Sequence, residues 1–451
     1  MIPKKKSVYN EKKDLKIKNL EINLEKKLQQ LYPKKIDLSL ERINKLLFKL
    51  GNPHRRIKNI IHIAGTNGKG SVLAFLKSFI QTSGYTVNTY TSPHLINFNE
   101  RINLNGHNIS DKFLEDLLDE CTKKNKDKPI TFFEMTTATA LLAFKKKPAD
   151  FTILETGLGG RLDATNIIEN PIITIINEIS IDHTNFLGSN IKQIAKEKAG
   201  IIKRNSPVVV GKQKKEATEI IKKIANKSKA KTFFYDKDWI IKKNNKHHII
   251  FFNNLKNNKK EEYPLPGLLG EHQIINAGIA LKAFKLIIKK KFNKNFIKKG
   301  LKSVKWPGRL QKIYLNNELF SKKINRKKWE FWFDGGHNKS ASKVLAKTFK
   351  KWNEKKLYLV FGMLNSKNPT DFLNYFKKIV NKLITVTIKS DSPYYSNKKL
   401  YEIAKLNEFN VETAQTIRDA INKILINESP GRVLICGSFY MYKEVFSLLK
   451  K

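Results

Sequence analysis

The residues Ile61-His-Ile-Ala-Gly-Thr-Asn-Gly-Lys-Gly-Ser71 join an apolar run to a turn that holds three glycines, a lysine and a hydroxyl. Glycine lets backbone N–H groups converge on an anion. A helix starting at such a turn adds the positive end of its dipole, and Lys69 adds a point cation. The chemistry this favours is the binding of nucleoside triphosphate phosphates. The common form of the loop, G-x-x-x-x-G-K-[ST], asks for glycine at 63 and a hydroxyl at 70. This chain has Ile63 and Gly70, and its hydroxyl stands at Ser71. A turn that binds nothing would account for the glycines, but not for the order strand, Gly65, Gly68, Lys69, Gly70, Ser71, helix.

Other groups able to do chemistry stand just after apolar runs, where ligands bind in parallel sheets. Ser92 follows Tyr90-Thr91, Glu155 ends Phe151-Thr-Ile-Leu, Asp182-His183 follows Ile172 to Ile181, and Asp334-Gly-Gly-His337-Asn338 follows Trp329 to Phe333. A hydroxyl, a carboxylate and an imidazole beside a phosphate loop would complete the shell of Mg2+ ions bridging nucleotide phosphates. Each also has a structural alternative. Ser92 could cap the next segment, Glu155 could pair with Arg161, His183 could be a hydrogen-bonded core histidine, and Asp334 and His337 could merely form a turn.

The elements that must position these groups alternate. Ile60–Ala64, Thr86–Thr91, Phe151–Glu155, Ile172–Asn177 and Pro207–Val210 are expected as buried strands. Leu114–Cys121, Met135–Phe144 and Ile191–Ala199 are expected as helices. The alternation predicts an α/β domain on a mostly parallel sheet. Two β-rich runs, Phe233–Ile241 and His248–Phe252, suggest an antiparallel appendage, and Trp306-Pro-Gly-Arg309 reads as a linker or hinge. A second α/β region follows, with strands at Phe331–Asp334, Leu357–Phe361, Leu383–Thr387 and Val433–Cys436. Ahead of the phosphate loop, residues 1–30 read as a basic tail with a lead helix. Ile36 to Leu50 reads as a second amphipathic helix, stopped by Gly51-Asn52-Pro53.

With 451 residues the chain is too long for one core, and two domains are expected. No apolar run reaches the roughly 18 residues of a membrane span. The lysine-rich start carries no secretory pattern. Cys121 and Cys436 are too few and too far apart for a disulfide framework, so a reducing cytoplasm is expected. The net charge of +47 does not imply a nucleic-acid partner, because only 10 of the 87 basic residues are arginine and the lysines are spread along the chain. A dedicated binder concentrates its charge and interleaves arginine or aromatic rings.

Together these segments resemble the folylpolyglutamate synthase and dihydrofolate synthase family, within the Mur ligase superfamily. The motifs are Ile36-Asp-Leu-Ser-Leu-Glu-Arg42, Gly65-Thr-Asn-Gly-Lys-Gly-Ser71, Thr91-Ser-Pro-His-Leu95 and Glu155-Thr-Gly-Leu-Gly-Gly-Arg-Leu-Asp-Ala-Thr-Asn166, followed by Asp182-His183 with Leu187-Gly188, Glu197-Lys-Ala-Gly-Ile201, Pro307-Gly-Arg309 and Asp334-Gly-Gly-His-Asn338. The family's loop carries the same shifted serine. The resemblance implies an N-terminal P-loop ATPase domain over residues 31–306 and a smaller Rossmann-like C-terminal domain over 307–451. It implies a cytoplasmic, monomeric ligase that uses ATP and Mg2+, phosphorylates a carboxylate, and lets the amino group of L-glutamate displace phosphate. The acceptor would be dihydropteroate, folate glutamates or both, with no specific nucleic acid and no membrane as partner.

Residue by residue, the resemblance implies that Gly68, Lys69, Gly70, Ser71, Asn276, Arg309 and Asp334 meet ATP. Ser92, Glu155 and His183 would meet the metal. Lys69, Lys198 (as a carbamate) and His337 would serve catalysis. Leu38, Ser39, Leu40, Glu41, Thr131, Phe132, Phe133, Glu134, Leu162, Asp163 and Ala164 would line the pterin site. The chain departs from the family at Gly336 (often alanine), which should loosen that turn slightly. It departs also at Lys339 (often proline), Ser366-Lys-Asn368 and Ser392-Pro-Tyr394. The rival readings are a cell-wall Mur-type ligase and a basic RNA-binding P-loop protein.

Overall fold

The computed structural model describes residues 37–244, 247–255, 260–288, 292–325, 327–390 and 392–450; the expected tail and lead helix at 1–30 lie outside them. The chain divides into two compact units. One comprises Met1–Ile241, Ile250–Tyr263 and Asn276–Leu301, the other Lys242–Ile249, Pro264–Ile275 and Lys302–Lys451.

The first unit is built on eight strands: β1 (Ile60–Ala64), β2 (Val87–Tyr90), β3 (Ile102–Leu104), β4 (His107–Asn108), β5 (Phe151–Glu155), β6 (Ile173–Ile176), β7 (Val208–Val210) and β8 (Thr232–Phe234). They lie in the order β4-β3-β2-β5-β1-β6-β7-β8. β2, β5, β1, β6, β7 and β8 run parallel, and β3 and β4 extend the edge antiparallel. β1, Ile-Ile-His-Ile-Ala, is a central parallel strand between β5 and β6, and all five of its residues are buried. Its carboxyl end, between β5 and β6, opens into the glycine loop. The helix Lys69–Thr82 follows and buries Val72, Leu73, Phe75, Leu76, Phe79 and Ile80.

Two local expectations change, and two elements appear that the sequence did not announce. Of the amphipathic helix expected from Ile36, which lies outside the described residues, the described part is helical over Glu41–Lys49. Arg42 reaches back to the Asp37 carbonyl at 2.8 Å and holds the lead outside the helix. The run Phe233–Ile241 is two strands. A turn with Asp236 at φ 64, in which Asp238 accepts the Phe234 N–H at 2.7 Å, ends β8. β9 (Ile240–Lys243) then pairs in a three-stranded sheet of order β11-β10-β9 with β10 (His248–Phe252) and β11 (Lys260–Pro264). The sequence Lys-Glu-Glu-Tyr-Pro of β11 carries no alternation to announce it. The helix Glu271–Ile288 lacks a polar face as well, and its apolar spread hid its period.

The second unit holds β12 (Gln311–Ile313), β13 (Glu330–Asp334), β14 (Lys356–Phe361), β15 (Lys382–Val386), β16 (Val411–Ala414) and β17 (Gly431–Cys436), in the order β12-β13-β17-β14-β15-β16. Only β12 is antiparallel. Phe361, Phe372 and Phe376 stack in sequence within its core, where Leu345, Phe349 and Leu400 also pack. Among the described residues no helix is long and apolar enough to cross a membrane.

Candidate active site

The glycine loop is tied to the segment that leaves β6. Thr66 donates its N–H to Glu178 at 2.8 Å and its hydroxyl to the Ser180 carbonyl at 3.1 Å, while the Asn67 amide reaches Glu178 Oε2 at 2.8 Å. Gly68 precedes the helix at φ 75, and a Cβ there would come within 2.4 Å of the Asn177 amide and 2.6 Å of Asn276 Oδ1. Only glycine fits that position. Asn177 and Asn276 hold each other at 3.0 Å, which brings the predicted Asn276 to the loop. Gly70 and Ser71 lie buried in the first helical turn.

Two lysines converge on one carbonyl. The Gly65 oxygen accepts from Lys69 Nζ at 3.2 Å and from Lys198 Nζ at 3.0 Å. Lys69 stands 3.8 Å from Glu155 Oε1, so Glu155 faces the loop lysine. The alternative pairing with Arg161 is absent, since Arg161 bonds Glu197 at 2.9 Å. Burial, and then the nearby Lys69 charge, push the pKa of Lys198 down to about 7. A small cavity opens here, lined by Gly65, Thr66, Lys69, Gly157, Leu158, Gly159, Asp182, His183, Leu187 and Lys198.

His183 adopts a left-handed backbone, φ 52, with Nε2 3.9 Å from the Asp182 carboxylate. The structure thus gathers Lys69, Glu155, His183 and Lys198, and adds Asp182. Ser92 ends the strand β2 two residues on and does not line this cavity. Among the described residues no three His, Cys, Asp or Glu side chains converge to hold a metal by themselves. A cation here would therefore take the rest of its shell from hydroxyl, phosphate or water oxygens. The carboxylates and hydroxyls at hand suit a hard divalent ion of that kind.

The residues expected at the acceptor form a second set beside β5. Thr131 and Glu134 make a capping box at the start of helix Phe132–Lys146, and Glu134 also accepts from Arg42 at 3.0 Å. The expected segments 38–41 and 131–134 are joined by Arg42, whose partner Glu134 lies 92 residues further along the chain. Ser39 accepts the Glu41 N–H at 3.1 Å, and Glu41 pairs with Lys45 in solvent. Phe133 fills the space a Cβ at Gly157 would need, at 2.4 Å. Phe132 meets Phe98 edge-on, and the Arg101 guanidinium lies 5.3 and 5.4 Å from these two rings. Leu40, Phe132 and Phe133 pack against the core that contains Ala164. Leu38 and Leu162 are half-buried. Asp163 is buried and spends its carboxylate on its own turn, accepting from Thr165 and Leu158.

In the second unit, Asp334 ends β13 and accepts the Leu310 and Gly336 N–H groups, each at 2.7 Å. Burial pushes its pKa up, against the pull of Arg309. Arg309 lies 4.3 Å over the Phe439 ring, and His337 meets the same ring edge-on. Phe439 was not foreseen; the signal was the small pair Gly437-Ser438 after β17. The turn at Gly336 is pinned rather than loose. Its N–H is bonded to Asp334, and a Cβ would meet Ala341 at 2.9 Å. The departing segments 366–368 and 392–394 flank one paired rim, where Leu364 bridges Tyr394 and Asn365 donates to Pro393 at 3.1 Å. Lys339 stands exposed, 3.5 Å from Asp371.

Residues 63–284 match the Mur ligase middle domain, and residues 316–448 match the dihydrofolate synthetase C-terminal domain. The dihydrofolate synthase/folylpolyglutamate synthase of Bacillus subtilis is 33% identical over 425 residues, covering 91% of this chain and 95% of the relative. The structure of Escherichia coli FolC in complex with DHPP and ADP superposes with a TM-score of 0.82 at 29% identity, covering 93% of this chain and 95% of that one. A bifunctional folylpolyglutamate synthase/dihydrofolate synthase with Mn, AMPPNP and L-glutamate bound gives 0.79 at 26% identity, covering 91% and 94%.

Proposed function

Because this chain belongs to the folylpolyglutamate synthase/dihydrofolate synthase family, we propose that it adds L-glutamate to dihydropteroate, and that folate glutamates are its second acceptor. It is an ATP-dependent carbon–nitrogen ligase. The observation that supports the assignment of residues is that Lys69 and Lys198 share the Gly65 carbonyl and Lys69 stands 3.8 Å from Glu155, beside the cavity.

In this reading Gly68, Gly70 and Ser71 present backbone N–H groups to the ATP phosphates, and Lys69 neutralises the charge that moves with the transferred phosphoryl group. Asn276, Arg309 and Asp334 meet the nucleotide. Ser92, Glu155 and His183 would hold a divalent ion, taken to be Mg2+, which supplies charge neutralisation on the phosphate oxygens. Lys198 acts as a carbamate; burial and the Lys69 charge lower its pKa to about 7, which raises the share of neutral amine, the form that reacts with carbon dioxide. The acceptor carboxylate becomes an acyl phosphate, the glutamate amino group attacks it, and phosphate leaves. His337 would assist catalysis; it belongs to the C-terminal domain, 307–451, while the 31–306 domain would hold ATP. The pterin ring meets Phe132 and Phe133, and the segments 38–41, 131–134 and 162–164 shape its site. The enzyme acts as a cytoplasmic monomer.

The test is incubation of the pure protein with ATP, Mg2+, L-glutamate and either dihydropteroate or tetrahydrofolate, read by mass spectrometry. A glutamyl mass gain on dihydropteroate is expected, with a further gain on tetrahydrofolate. No gain on dihydropteroate refutes the choice of acceptor.

A further inference from the structure

Between the loop strand and the turn after β5 runs a buried line of hydrogen bonds, of which only the Asp163 end falls in a segment assigned above to the acceptor. His62 on β1 is 0% exposed, and its Nε2 lies 2.8 Å from Thr165 Oγ1. Thr165 Oγ1 lies 2.6 Å from Asp163 Oδ1. The Asp163 carboxylate also accepts the Thr165 N–H at 3.0 Å, the Leu158 N–H at 2.8 Å and the Gly157 N–H.

The acceptor count sets the direction of this line. Three backbone N–H groups already aim at Asp163, and none of them can turn round. A carboxylate taking those bonds has no proton to give, so the Thr165 hydroxyl donates to Asp163. The remaining lone pair of Thr165 then takes the hydrogen on His62 Nε2. That leaves His62 Nδ1 as a bare acceptor, and it is indeed buried with no hydrogen-bond partner. An imidazole kept in the core at that cost is held by what its other nitrogen does. Burial keeps the ring neutral, with a pKa near 3.

We propose that His62 is a positioning residue for the turn 157–163: its Nε2–H commits the Thr165 hydroxyl to Asp163, and Asp163 fixes Gly157 and Leu158 in the cavity wall. Those two residues line the same cavity as Gly65, Thr66 and Lys69, and the loop that carries the last three begins directly after β1. One strand therefore sets both walls. Phe133 against Gly157 extends the effect to the acceptor side.

The test pairs His62→Leu, which removes the donor, with Thr165→Val, which removes the relay, and His62→Gln, whose amide can donate from about the same place. Hydrogen exchange of peptides spanning 157–165, read by mass spectrometry on unliganded protein, is expected to quicken about tenfold in His62→Leu and Thr165→Val. His62→Gln should stay within about twofold of the parent, and the Leu/Val double variant should be no faster than the faster single, because one line is cut twice. Unchanged exchange in Thr165→Val, or single effects that multiply in the double variant, overturns the relay. If His62→Leu does not fold, Thr165→Val and His62→Gln decide the matter by the same readings. A kinetic arm rests on the acceptor assignment above: KM for dihydropteroate should rise about tenfold in His62→Leu and Thr165→Val and stay within about threefold of the parent in His62→Gln. Quickened exchange without a KM change supports the relay and overturns the placing of the acceptor instead.

Discussion

Around the Gly65 carbonyl the structure penalises charge, whereas at the amino ends of β13, β14 and β17 it rewards charge. Lys198 reaches a neutral oxygen, shares its surroundings with Lys69, and has its pKa drawn down to about 7. Arg432, equally buried, is met by Glu330 at 2.7 Å and Glu354 at 3.1 Å, and lies over the Trp352 ring. Lys355 adds a bond to Glu330 at 2.9 Å. Burial works against the Glu330 charge, but the Arg432 and Lys355 bonds outweigh it and hold its pKa at about 2. One cluster is complete and fastens strands. The other stands at the carboxyl end of β1, where Lys69 is 3.8 Å from Glu155, and it is the place proposed above for the ATP phosphates.

That contrast breaks most visibly at Lys69. Lys69→Ala is expected to lower kcat by roughly 10³-fold, the scale of a lost phosphate-facing cation, while the melting temperature stays within about 2 °C. Steady-state turnover and thermal unfolding measured together check it, and near-normal turnover removes the loop from the chemistry. Lys198→Ala is expected to cost about 10²-fold in activity and nothing in stability, since it deletes a group whose charge the site already disfavours. Short carboxylic acids added to the assay should restore part of the rate if a carbamate is required. Full activity without them refutes that role.

How far these sites could be read beforehand follows the same division. The strands β1, β5, β6, β14 and β17 are runs of Ile, Leu, Val and Phe buried on both faces, and such runs announce themselves. Lys69, Glu155 and His183 were legible because each follows such a run. Lys198 was not: with lysine everywhere, only a family motif singled it out, and its distinction is burial, which composition does not reveal. Arg42, Arg101 and Phe439 act across long separations, on Glu134, on Phe132, and on Arg309 and His337. Nothing in their local sequence encodes a partner so distant. β11 and β16 stayed hidden because their pairing is supplied by neighbours rather than by alternation.

The completed cluster should answer in stability alone. Glu330→Gln leaves Arg432 buried with Glu354 as its remaining carboxylate, and is expected to destabilise the protein by about 2 kcal/mol at neutral pH. Catalytic rates at 25 °C should not change. Urea unfolding at pH 7 measures the first, and a loss below about 0.5 kcal/mol would mean the cluster is ornamental in water.

The smallest effect, and the sharpest on mechanism, is the pH dependence of that difference. The Glu330 carboxyl has its pKa lowered from 4.5 to about 2 in the folded protein, so its contribution is whole above pH 4.5 and is lost as pH falls toward 2. The parent protein should therefore approach the Glu330→Gln variant in stability across that interval, because protonation removes the charge the substitution removes. Glu271, held near 2 by hydrogen bonds to Lys347 and Lys351, titrates in the same window, but is present in both proteins and cancels in the comparison. Urea midpoints for the pair at pH 7, 5, 4 and 3 should converge in that order. A gap that stays constant down to pH 3 would place the stabilisation in packing about Trp352 rather than in the charge of Glu330.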